Sequence, residues 1–592
     1  MAIMKKLAGY IRGFWKDTIL TPIFMLGEVV VEMIIPLLMA RIIDDGVYGR
    51  DMDTIVKVGI IMACCAGAGL FFGVMGGKYG ASASTGFAKN LRQAEFESIQ
   101  KYSFKNIDKF SSASLITRLT TDVTNLQNAF QMLIRMGMRA PASLIVAMVL
   151  SLSISPRLSM VYLFAVIVIA IFIFFMSGAA QRIFNEVFKK YDDLNASVGE
   201  NVSGIRVVKA YVKEDYEKKR FHKANENLYH MFIKAEKLMV VAMPIMQAAV
   251  YACILAISWF GARMIVLSGG SELTTGNLMS MLTYCMNILM SLMMFAMVIV
   301  MILMSTASAK RIVEVLDEEP DIKNPDKSLM EVEDGSVSFK NVEFSYFDKY
   351  EEPVLKNINI DIPAGSTVVG IIGPTGSGKT TLVNLLSRLY DVNGGSVEVG
   401  GHDVREYDIR TLRDSVSVVL QKNVLFSGSI YDNLRWGDKN ATDEECQRAA
   451  KLACADEFID RMPDGYDTWI EQGGTNVSGG QRQRLCIARA LMKKPKVLVL
   501  DDSTSAVDTA TDAKIRRAFR EEIPGTTKFI IAQRISSVQD ADMILIMDDG
   551  KIAARGTHEE LLKTSEMYRE LYESQTGQGS GDFDRTAGKE GE

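Results

Sequence analysis

Six apolar stretches, each long enough to cross a lipid bilayer, occupy the first half of this 592-residue chain. A transmembrane helix needs about 20 consecutive apolar residues because the hydrocarbon core of a bilayer is about 30 Å thick. After residue 310 no such stretch occurs, and charged residues and glycines become frequent. We therefore expect a membrane-embedded α-helical bundle over residues 1–310, a linker over 311–330 and a water-soluble domain over 331–574. The predicted spans are residues 19–43, 58–77, 132–154, 158–180, 238–267 and 278–304.

Lysine and arginine are distributed unevenly between the connections that join these spans. Two long connections, residues 78–131 and 181–237, carry many of these cations, whereas the short connections carry few, chiefly Arg50 and Arg157. Cytoplasmic loops are enriched in such cations, so the long loops, both termini and the soluble domain are predicted to lie in the cytoplasm. Helical periodicity in the long loops predicts helices that continue past the bilayer and return as hairpins. Without a cleavable signal pattern, we expect a multi-pass protein of a prokaryotic cytoplasmic membrane.

Overall charge and cysteine spacing narrow the classes of partner. The formal net charge is −5, and the cations are dispersed in loops rather than grouped. A nucleic-acid partner is not indicated, because such proteins concentrate basic residues on one face. The seven cysteines show no CxxC or zinc-ligand spacing and are interpreted as free thiols. Membrane lipid and a nucleotide remain as the expected partners.

Two features inside the spans each allow two interpretations. Glu28 and Glu32 lie one helical turn apart in the first span, where a carboxylate is costly. They are candidates for a substrate or proton contact, or else they lie near an interface or bond to a neighbouring helix. The last span carries a methionine stripe, which is either a surface that adapts to varied apolar substrates or ordinary packing. Its members are Met286, Met290, Met293, Met297, Met301 and Met304.

The soluble domain contains the two motifs of a nucleotide site. Residues 368–381, VVGIIGPTGSGKTT, read as a buried strand, a glycine-rich loop and the start of a helix, which is the Walker A pattern. Loop N–H groups can approach phosphates, Lys379 can reach the β and γ phosphates, and Thr380 can offer its hydroxyl to Mg²⁺. A second apolar strand ends in Asp501, the Walker B carboxylate that would hold Mg²⁺. ATP and Mg²⁺ are the expected cofactors.

Residues 477–484, VSGGQRQR, resemble the signature motif of ATP-binding cassette (ABC) proteins. Residues 104–110 with 115–123, and residues 204–211, resemble the two intracellular loops of type IV ABC exporters. The resemblance covers the chain to about residue 574 and implies a six-span bundle fused to an α/β P-loop ABC ATPase domain. It also implies that two such domains hold two ATP molecules between them and that hairpin tips contact the ATPase. Residues 575–592 are expected to be a disordered tail.

The resemblance assigns roles to individual residues of the ATPase domain. Tyr346 resembles the aromatic residue that stacks on adenine, Gln421 resembles the Q-loop residue that contacts Mg²⁺, and residues 505–508 resemble the D-loop. Thr380, Gln421 and Asp501 are the expected Mg²⁺ ligands. The expected ATP-binding residues are Tyr346, Gly373, Pro374, Thr375, Gly376, Ser377, Gly378, Lys379, Thr380, Thr381, Ser478, Gly479, Gly480 and Gln481.

Two positions depart from the pattern of active ABC sites. A glutamate normally follows the Walker B aspartate, and a histidine lies in the switch loop; here the residues are Asp502 and Gln533. Both changes affect activation of the attacking water, for which a well-placed base is worth about 10²- to 10⁴-fold. Asp502 is therefore expected to be an impaired base, while ATP binding is expected to persist.

This combination resembles the degenerate subunit of heterodimeric bacterial multidrug or lipid exporters. The resemblance implies a subunit of an ATP-driven exporter of amphipathic drugs, lipids or peptides. It implies a partner half-transporter that carries the missing Glu and His, whose active site this chain's signature would complete. A homodimer with two slow sites, an ATP-sensing regulator that transports nothing, and an importer with the exporter fold are the alternatives.

Overall fold

The computed structural model describes residues 2–346, 352–365, 367–503 and 505–576. The chain divides into two compact units. One unit comprises residues 1–100 and 111–318, and the other comprises residues 101–110 and 319–592. We refer to them as the membrane unit and the ATPase unit.

Long helices make up the membrane unit. Among the described residues, six helices are long and apolar enough to cross a membrane, as predicted. The helices of this unit are α1 (Ala2–Ala8), α2 (Trp15–Arg41), α3 (Met52–Gln100), α5 (Ser112–Thr117), α6 (Val123–Ile154), α7 (Pro156–Ser203), α8 (Ile205–Ala210), α9 (Glu214–Ser268) and α10 (Thr275–Asp317). The remaining helix in this half of the chain, α4 (Phe104–Phe110), belongs to the ATPase unit.

Several of these helices are much longer than a bilayer requires. The 49 residues of α3 span about 74 Å at 1.5 Å per residue, more than twice the hydrocarbon thickness. This length confirms the prediction that the helices continue beyond the membrane. α10 likewise continues to Asp317, past the predicted boundary at residue 310, because Ile312, Val313 and Val315 of its last turns are buried.

The ATPase unit contains twelve strands among the described residues. They are β1 (Val337–Phe344), β2 (Leu355–Ile362), β3 (Val368–Ile372), β4 (Gly394–Val399), β5 (His402–Asp403), β6 (Val416–Val419), β7 (Gly428–Ser429), β8 (Trp469–Ile470), β9 (Val497–Asp501), β10 (Thr527–Ile531), β11 (Met543–Asp548) and β12 (Lys551–Gly556). The helices are α11 (Lys379–Asn384), α12 (Ile409–Ser415), α13 (Ile430–Leu434), α14 (Asp443–Leu452), α15 (Asp456–Ile459), α16 (Gly479–Leu491), α17 (Thr509–Glu522), α18 (His558–Thr564) and α19 (Glu566–Thr576).

A six-stranded sheet of order β12-β11-β3-β10-β9-β6 forms the centre of this unit. The pairs β11–β3, β3–β10, β10–β9 and β9–β6 are parallel, and β12 is antiparallel to β11. The strands β3, β9 and β10 are almost entirely buried, as expected for parallel strands covered on both faces; β3 and β9 are apolar up to Asp501, whereas β10 begins with Thr527 and Lys528. The carboxyl ends of these three neighbouring strands therefore meet at one edge, where α/β proteins commonly bind ligands.

A smaller antiparallel sheet of order β2-β1-β4-β5 packs into the same unit. At the other end of the chain, α19 continues to Thr576, so the tail was predicted to begin two residues too early. The reason is that the Gln575 side chain accepts a hydrogen bond from Ile535 N at 2.8 Å and donates one to Gln533 O at 3.0 Å. Residues 577–592 of the predicted tail lie outside the described residues.

Candidate nucleotide-binding site

The glycine-rich loop follows β3 at the ligand-binding edge of the large sheet. Gly373 has φ +150°, and a Cβ atom built there would lie 2.1 Å from the Met547 carbonyl oxygen, so only glycine fits. Gly378, with φ +95°, directly precedes the first residue of α11, Lys379. The loop residues Pro374, Thr375, Gly376 and Ser377 lie between these two glycines.

Two side chains of the loop fit a phosphate ligand. The Ser377 hydroxyl is buried and has no hydrogen-bond partner among the described residues, so a donor is available inside the loop. The Lys379 ammonium group donates to the carbonyl oxygens of Gly373 at 2.9 Å and Pro374 at 2.7 Å, which places it over the loop. Burial lowers the pKa of Lys379, and the nearby carboxylates of Asp501 and Asp502 oppose that shift. The loop therefore presents donors and one cation to the same space.

Asp501 ends β9 and lies beside the first turn of α11. Its Oδ1 accepts a hydrogen bond from the Thr380 hydroxyl at 3.1 Å, while its Oδ2 is buried and has no hydrogen-bond partner among the described residues. Burial raises the pKa of Asp501. A hydroxyl beside an unsatisfied carboxylate oxygen matches the hard oxygen ligands that Mg²⁺ prefers. The residues present thus fit the cation that the ABC pattern implies.

The two residues that depart from the pattern bond to each other. Gln533, which follows β10, donates from its amide to Asp502 Oδ2 at 2.9 Å. Burial raises the pKa of Asp502, and the amide groups of Gln533 and Gln421 oppose that shift. Asp502 has φ +49°, a left-handed conformation that aspartate tolerates better than most residues. The Asp502 carboxylate is thereby already engaged by the Gln533 amide.

Tyr346 contacts the helix that follows the loop. Its hydroxyl lies 2.9 Å from the Thr381 hydroxyl, and its ring packs edge-on against Phe344 and Tyr390 at centroid distances of 5.0 and 5.1 Å. The structure therefore brings Tyr346, Lys379, Thr380, Asp501 and Asp502 into one region around α11. Gln421 and Gln533 join this region through Asp502.

The signature residues Ser478–Gln481 form the start of α16. The Ser478 hydroxyl accepts from Gln481 N at 3.2 Å, and Gln481 Oε1 accepts from Ser478 N at 2.9 Å, which is a capping box. A Cβ atom at Gly480 would lie 2.8 Å from the Ala506 carbonyl oxygen, and one at Gly479 would lie 3.6 Å from Ala506 Cβ. The glycines thus bring the signature helix close to the D-loop, residues 505–508. Among the described residues, no hydrogen bond joins residues 478–481 to residues 373–381.

Sequence reasoning missed the residue that fastens the signature helix to the D-loop. Gln483 accepts from Ala506 N at 3.0 Å and donates to the Ser505 hydroxyl at 3.3 Å. Its position on the buried face of α16, in place of an apolar residue, was the available signal.

Tyr390 is a second residue that was not predicted from the sequence. Its hydroxyl donates to Asp108 of α4 at 2.7 Å, and its ring packs against Phe104. The tip of the first long loop therefore packs on the ATPase fold.

In the membrane unit, the structure gives Glu28 and Glu32 a shared partner. Arg139 of α6 donates from Nη1 to Glu28 Oε1 at 2.7 Å and from Nη2 to Glu32 Oε2 at 2.8 Å. Of the interpretations left open by the sequence, a bond to a neighbouring helix is confirmed. Arg139 was not singled out from the sequence, although a cation inside the predicted third span was a sufficient signal.

Comparison with known proteins agrees with this architecture. Residues 18–293 match the family described as ABC transporter transmembrane region, and residues 355–505 match the family described as ABC transporter. The chain is 36% identical over 574 residues to the uncharacterized ABC transporter ATP-binding protein YfiB of Bacillus subtilis, covering 97% of this chain and 99% of the relative.

Two further matches concern exporters. The chain is 32% identical over 488 residues to an ATP-dependent lipid A-core flippase of Desulfotalea psychrophila, covering 82% of this chain and 84% of that protein. The solved structure of a bacterial Atm1-family ABC exporter with ATP bound superimposes with a TM-score of 0.81 at 24% identity, covering 96% of this chain and 99% of that one. From these matches and its two-unit architecture, the chain belongs to the ABC transporter family and is an ATP-driven, multi-pass membrane transporter with the exporter fold.

Proposed function

We propose that this chain is the degenerate-site subunit of a heterodimeric ABC exporter. The observation that carries the proposal is the hydrogen bond between Gln533 and Asp502, the two positions at which the chain departs from active ABC sites. The phosphate-binding and cation-binding groups around them are in place. A site built in this way binds Mg-ATP and cleaves it slowly.

The proposed slow step follows from what Asp502 does in the structure. A general base must lie within hydrogen-bond reach of the water it activates, and loss of that positioning costs about 10²- to 10⁴-fold in rate. The Asp502 side chain is one methylene shorter than glutamate, and its carboxylate accepts a hydrogen bond from the amide of Gln533. Gln533 can donate a hydrogen bond but cannot become a cation beside a γ-phosphate. Bound ATP would supply the phosphoryl group, and Mg²⁺ at Thr380, Gln421 and Asp501 would offset its charge.

The signature serves a different nucleotide in this proposal. Ser478, Gly479, Gly480 and Gln481 begin a 13-residue helix whose first N–H groups favour an anion. They would complete the P-loop site of the partner, a half-transporter that retains the glutamate and the histidine. Hydrolysis would then take place mainly at the partner's site.

The alternatives account less well for this arrangement. A homodimer would contain two sites with the Asp502–Gln533 pair and would have no site that hydrolyses ATP efficiently. An ATP-sensing regulator would not need the six-span exporter fold. An importer would share every feature described, and only the direction of transport separates it from an exporter.

Substrate and location complete the proposal. The lipid A-core flippase relative and the apolar membrane unit favour an amphipathic lipid, drug or peptide as substrate. It would be moved out of the cytoplasm or the inner leaflet of the cell membrane, with the ATPase unit and both termini in the cytoplasm. The cation distribution between long and short loops supports this orientation.

A nucleotide-chase experiment tests the proposal. The tagged chain is purified from its native membrane, so that any partner half-transporter is recovered with it, and is loaded with radiolabelled Mg-ATP before a chase with unlabelled ATP. We expect retained label to be mainly ATP, and we expect Lys379→Ala to abolish the retention. Recovery of mostly ADP from the Lys379-dependent site, or purification without a second half-transporter, would contradict the proposal.

A further inference from the structure

A charged cluster in the membrane unit has one guanidinium for two carboxylates. We call Glu28, Glu32 and Arg139 the Arg139 cluster. Arg139 Nη1 lies 2.7 Å from Glu28 Oε1, and Arg139 Nη2 lies 2.8 Å from Glu32 Oε2, both within hydrogen-bond distance. The Glu28 and Arg139 side chains are only 19% and 28% exposed, whereas Glu32 is 43% exposed. The cluster is therefore partly open to a ligand at Glu32 and carries one negative charge more than its cation neutralises.

The cluster lies deep in the membrane. Glu28 is midway between the ends of α2, Trp15 and Arg41, so about 20 Å of helix separates it from either end. Ionisable side chains at such depth are costly and mark sites where a substrate or ion is handled. An ion pair that served only to join α2 to α6 would need one carboxylate, not two.

One oxygen of Glu28 has no hydrogen-bond donor. Glu28 Oε2 is buried without a hydrogen-bond partner among the described residues, although burying a carboxylate oxygen without a donor is strongly unfavourable. Gly73 of α3 faces this carboxylate, and a Cβ atom there would lie 3.4 Å from Glu28 Oε1 and 3.5 Å from Oε2. Any side chain at position 73 would therefore contact the Glu28 carboxylate.

The other cation nearby is directed elsewhere. Arg135 lies one turn before Arg139 on α6, and its Cγ and Cδ atoms lie against Gly80 of α3, beside Thr21 of α2. Thr21 is two turns from Glu28, about 10 Å along the helix axis. Within the part of the chain that the structure describes, the cation paired with Glu28 and Glu32 is Arg139, and no hydrogen bond or ion pair joins Arg135 to either carboxylate. The acceptor of Glu28 therefore requires a donor from outside the cluster.

Aromatic rings line the same face of the helices. Phe72 lies 3.3 Å from the Cβ position of Gly27, the residue before Glu28, and Phe24 stacks on Tyr79 with centroids 5.5 Å apart. The ring centroids of Phe24 and Phe72 lie 6.2 Å apart. Aromatic faces attract cations, most strongly where water is excluded. The surroundings thus suit a positively charged group on an apolar body.

We propose that the Arg139 cluster binds the ammonium group of an amine-bearing amphiphile, with Glu28 Oε2 and Glu32 as its acceptors. The inference rests on the proposed export of amphipathic compounds and narrows their class. The ammonium group supplies the donor that Glu28 lacks and the positive charge that the cluster lacks, and the alkyl body lies along the rings of Phe24 and Phe72. An anionic headgroup would instead meet a surplus of negative charge.

Transport of three matched probes by the purified transporter in sealed vesicles tests the proposal. The probes are dodecyl chains with a fluorescent NBD group at one end and an ammonium, hydroxyl or phosphate group at the other. We expect the KM for the amine to be at least tenfold lower than for the alcohol, and the phosphate to be the poorest substrate. Glu28→Gln should raise the KM for the amine at least tenfold and change the KM for the alcohol less than twofold.

Asp45→Asn serves as the control, because Asp45 is an exposed carboxylate near the outer end of α2 and should leave all three KM values unchanged. A purely structural role for the cluster would make Glu28→Gln impair all three probes alike and would overturn the proposal. Equal handling of the three probes by the unaltered transporter, or preference for the phosphate, would also overturn it. Either result leaves ATP retention at the Lys379 site unchanged, so it is distinguishable from failure of the proposed heterodimer.

Discussion

Among single residues, Asp502 and Gln533 distinguish this nucleotide site from active ABC sites. The sequence reveals both substitutions but not that the two side chains hydrogen-bond to each other at 2.9 Å. Their positions, 31 residues apart in the chain, become adjacent only because β9 and β10 are neighbouring parallel strands. The hydrogen bond from Gln533 therefore links the two substituted positions and holds the Asp502 carboxylate.

Restoring both residues should activate this site. Asp502→Glu lengthens the side chain by one methylene, and Gln533→His removes the amide that occupies the carboxylate. We predict that the double variant retains ADP in place of ATP in the chase experiment, because the base then reaches the water. Asp502→Glu alone should give a smaller gain, since Gln533 remains as its partner. A double variant that still retains only ATP would show that another feature limits cleavage.

Lys528 gives a pH prediction within β10. Its side chain is fully buried, its ammonium group donates to Ile523 O at 2.8 Å, and burial lowers its pKa to about 8. In the unfolded chain this pKa is about 10.4, so between these two values the unfolded state binds more protons and the contribution of Lys528 to stability rises with pH. Below about pH 8 the cost of its burial is constant.

Lys528→Met removes the charge and keeps an unbranched side chain of similar reach. We predict that this variant raises the thermal unfolding temperature of the ATPase unit at pH 7 and that its advantage shrinks steadily from pH 8 to pH 10. Scanning calorimetry of the purified chain measures both. An advantage that stayed constant over this range would mean that Lys528 does not titrate in the folded protein near pH 8.

At the level of secondary-structure elements, α16 begins with the signature residues and packs closely against the D-loop. Gly480 is the closest point, because a Cβ atom there would lie 2.8 Å from the Ala506 carbonyl oxygen. Alanine is otherwise favoured over glycine within a helix by about 1 kcal/mol. Gly480→Ala should therefore displace the D-loop without unfolding the domain.

We predict that Gly480→Ala lowers the ATPase rate of the assembled transporter at least tenfold and leaves the unfolding temperature within about 3 °C of the unaltered protein, since the helix gain offsets part of the strain. ATP retention at the Lys379 site should be unchanged, because Gly480 belongs to the other nucleotide in the proposal. Loss of that retention together with activity would instead place the signature in this chain's own site.

The elements also show how far the sequence could be interpreted. The Walker motifs were predictable because each combines a buried apolar strand with a fixed loop chemistry, and the structure has β3 and β9 at those places. Glu28 and Glu32 were recognisable because a carboxylate inside a membrane span is unfavourable. Their pairing with Arg139, in contrast, depends on how α2 packs against α6. No local pattern encodes that packing. The link from Gln483 to the D-loop was hidden for the same reason.

At the scale of the whole molecule, the membrane topology can be tested directly. We predict that single cysteines replacing Arg50, Arg157 and Ser271 react with an impermeant thiol reagent from outside sealed cells, after removal of the native cysteines. Cysteines replacing Lys109 and Lys213 should react only after the membrane is opened, because the long loops carry the cations that remain in the cytoplasm. Outside labelling at Lys213→Cys would contradict six spans with cytoplasmic termini.

In the proposed heterodimer, two parts of this ATPase unit serve two different nucleotides. Ser478 is exposed at the start of α16, where Ser478→Arg would place bulk and a fixed charge against the partner's γ-phosphate. Asp502→Ala removes a base that the proposal regards as nearly idle. Substitution of Ser478 in the signature should therefore lower ATP hydrolysis more than substitution of Asp502.

Steady-state ATPase rates of the purified transporter test whether the signature and Asp502 serve different nucleotides. We predict that Ser478→Arg lowers the rate at least a hundredfold, the order of effect seen when transition-state stabilisation is lost, while Asp502→Ala retains at least half of it. Both variants should be compared at equal amounts of assembled protein. If Asp502→Ala abolishes hydrolysis as completely as Ser478→Arg, then this chain's own site is an active one and the division into slow and active sites is wrong.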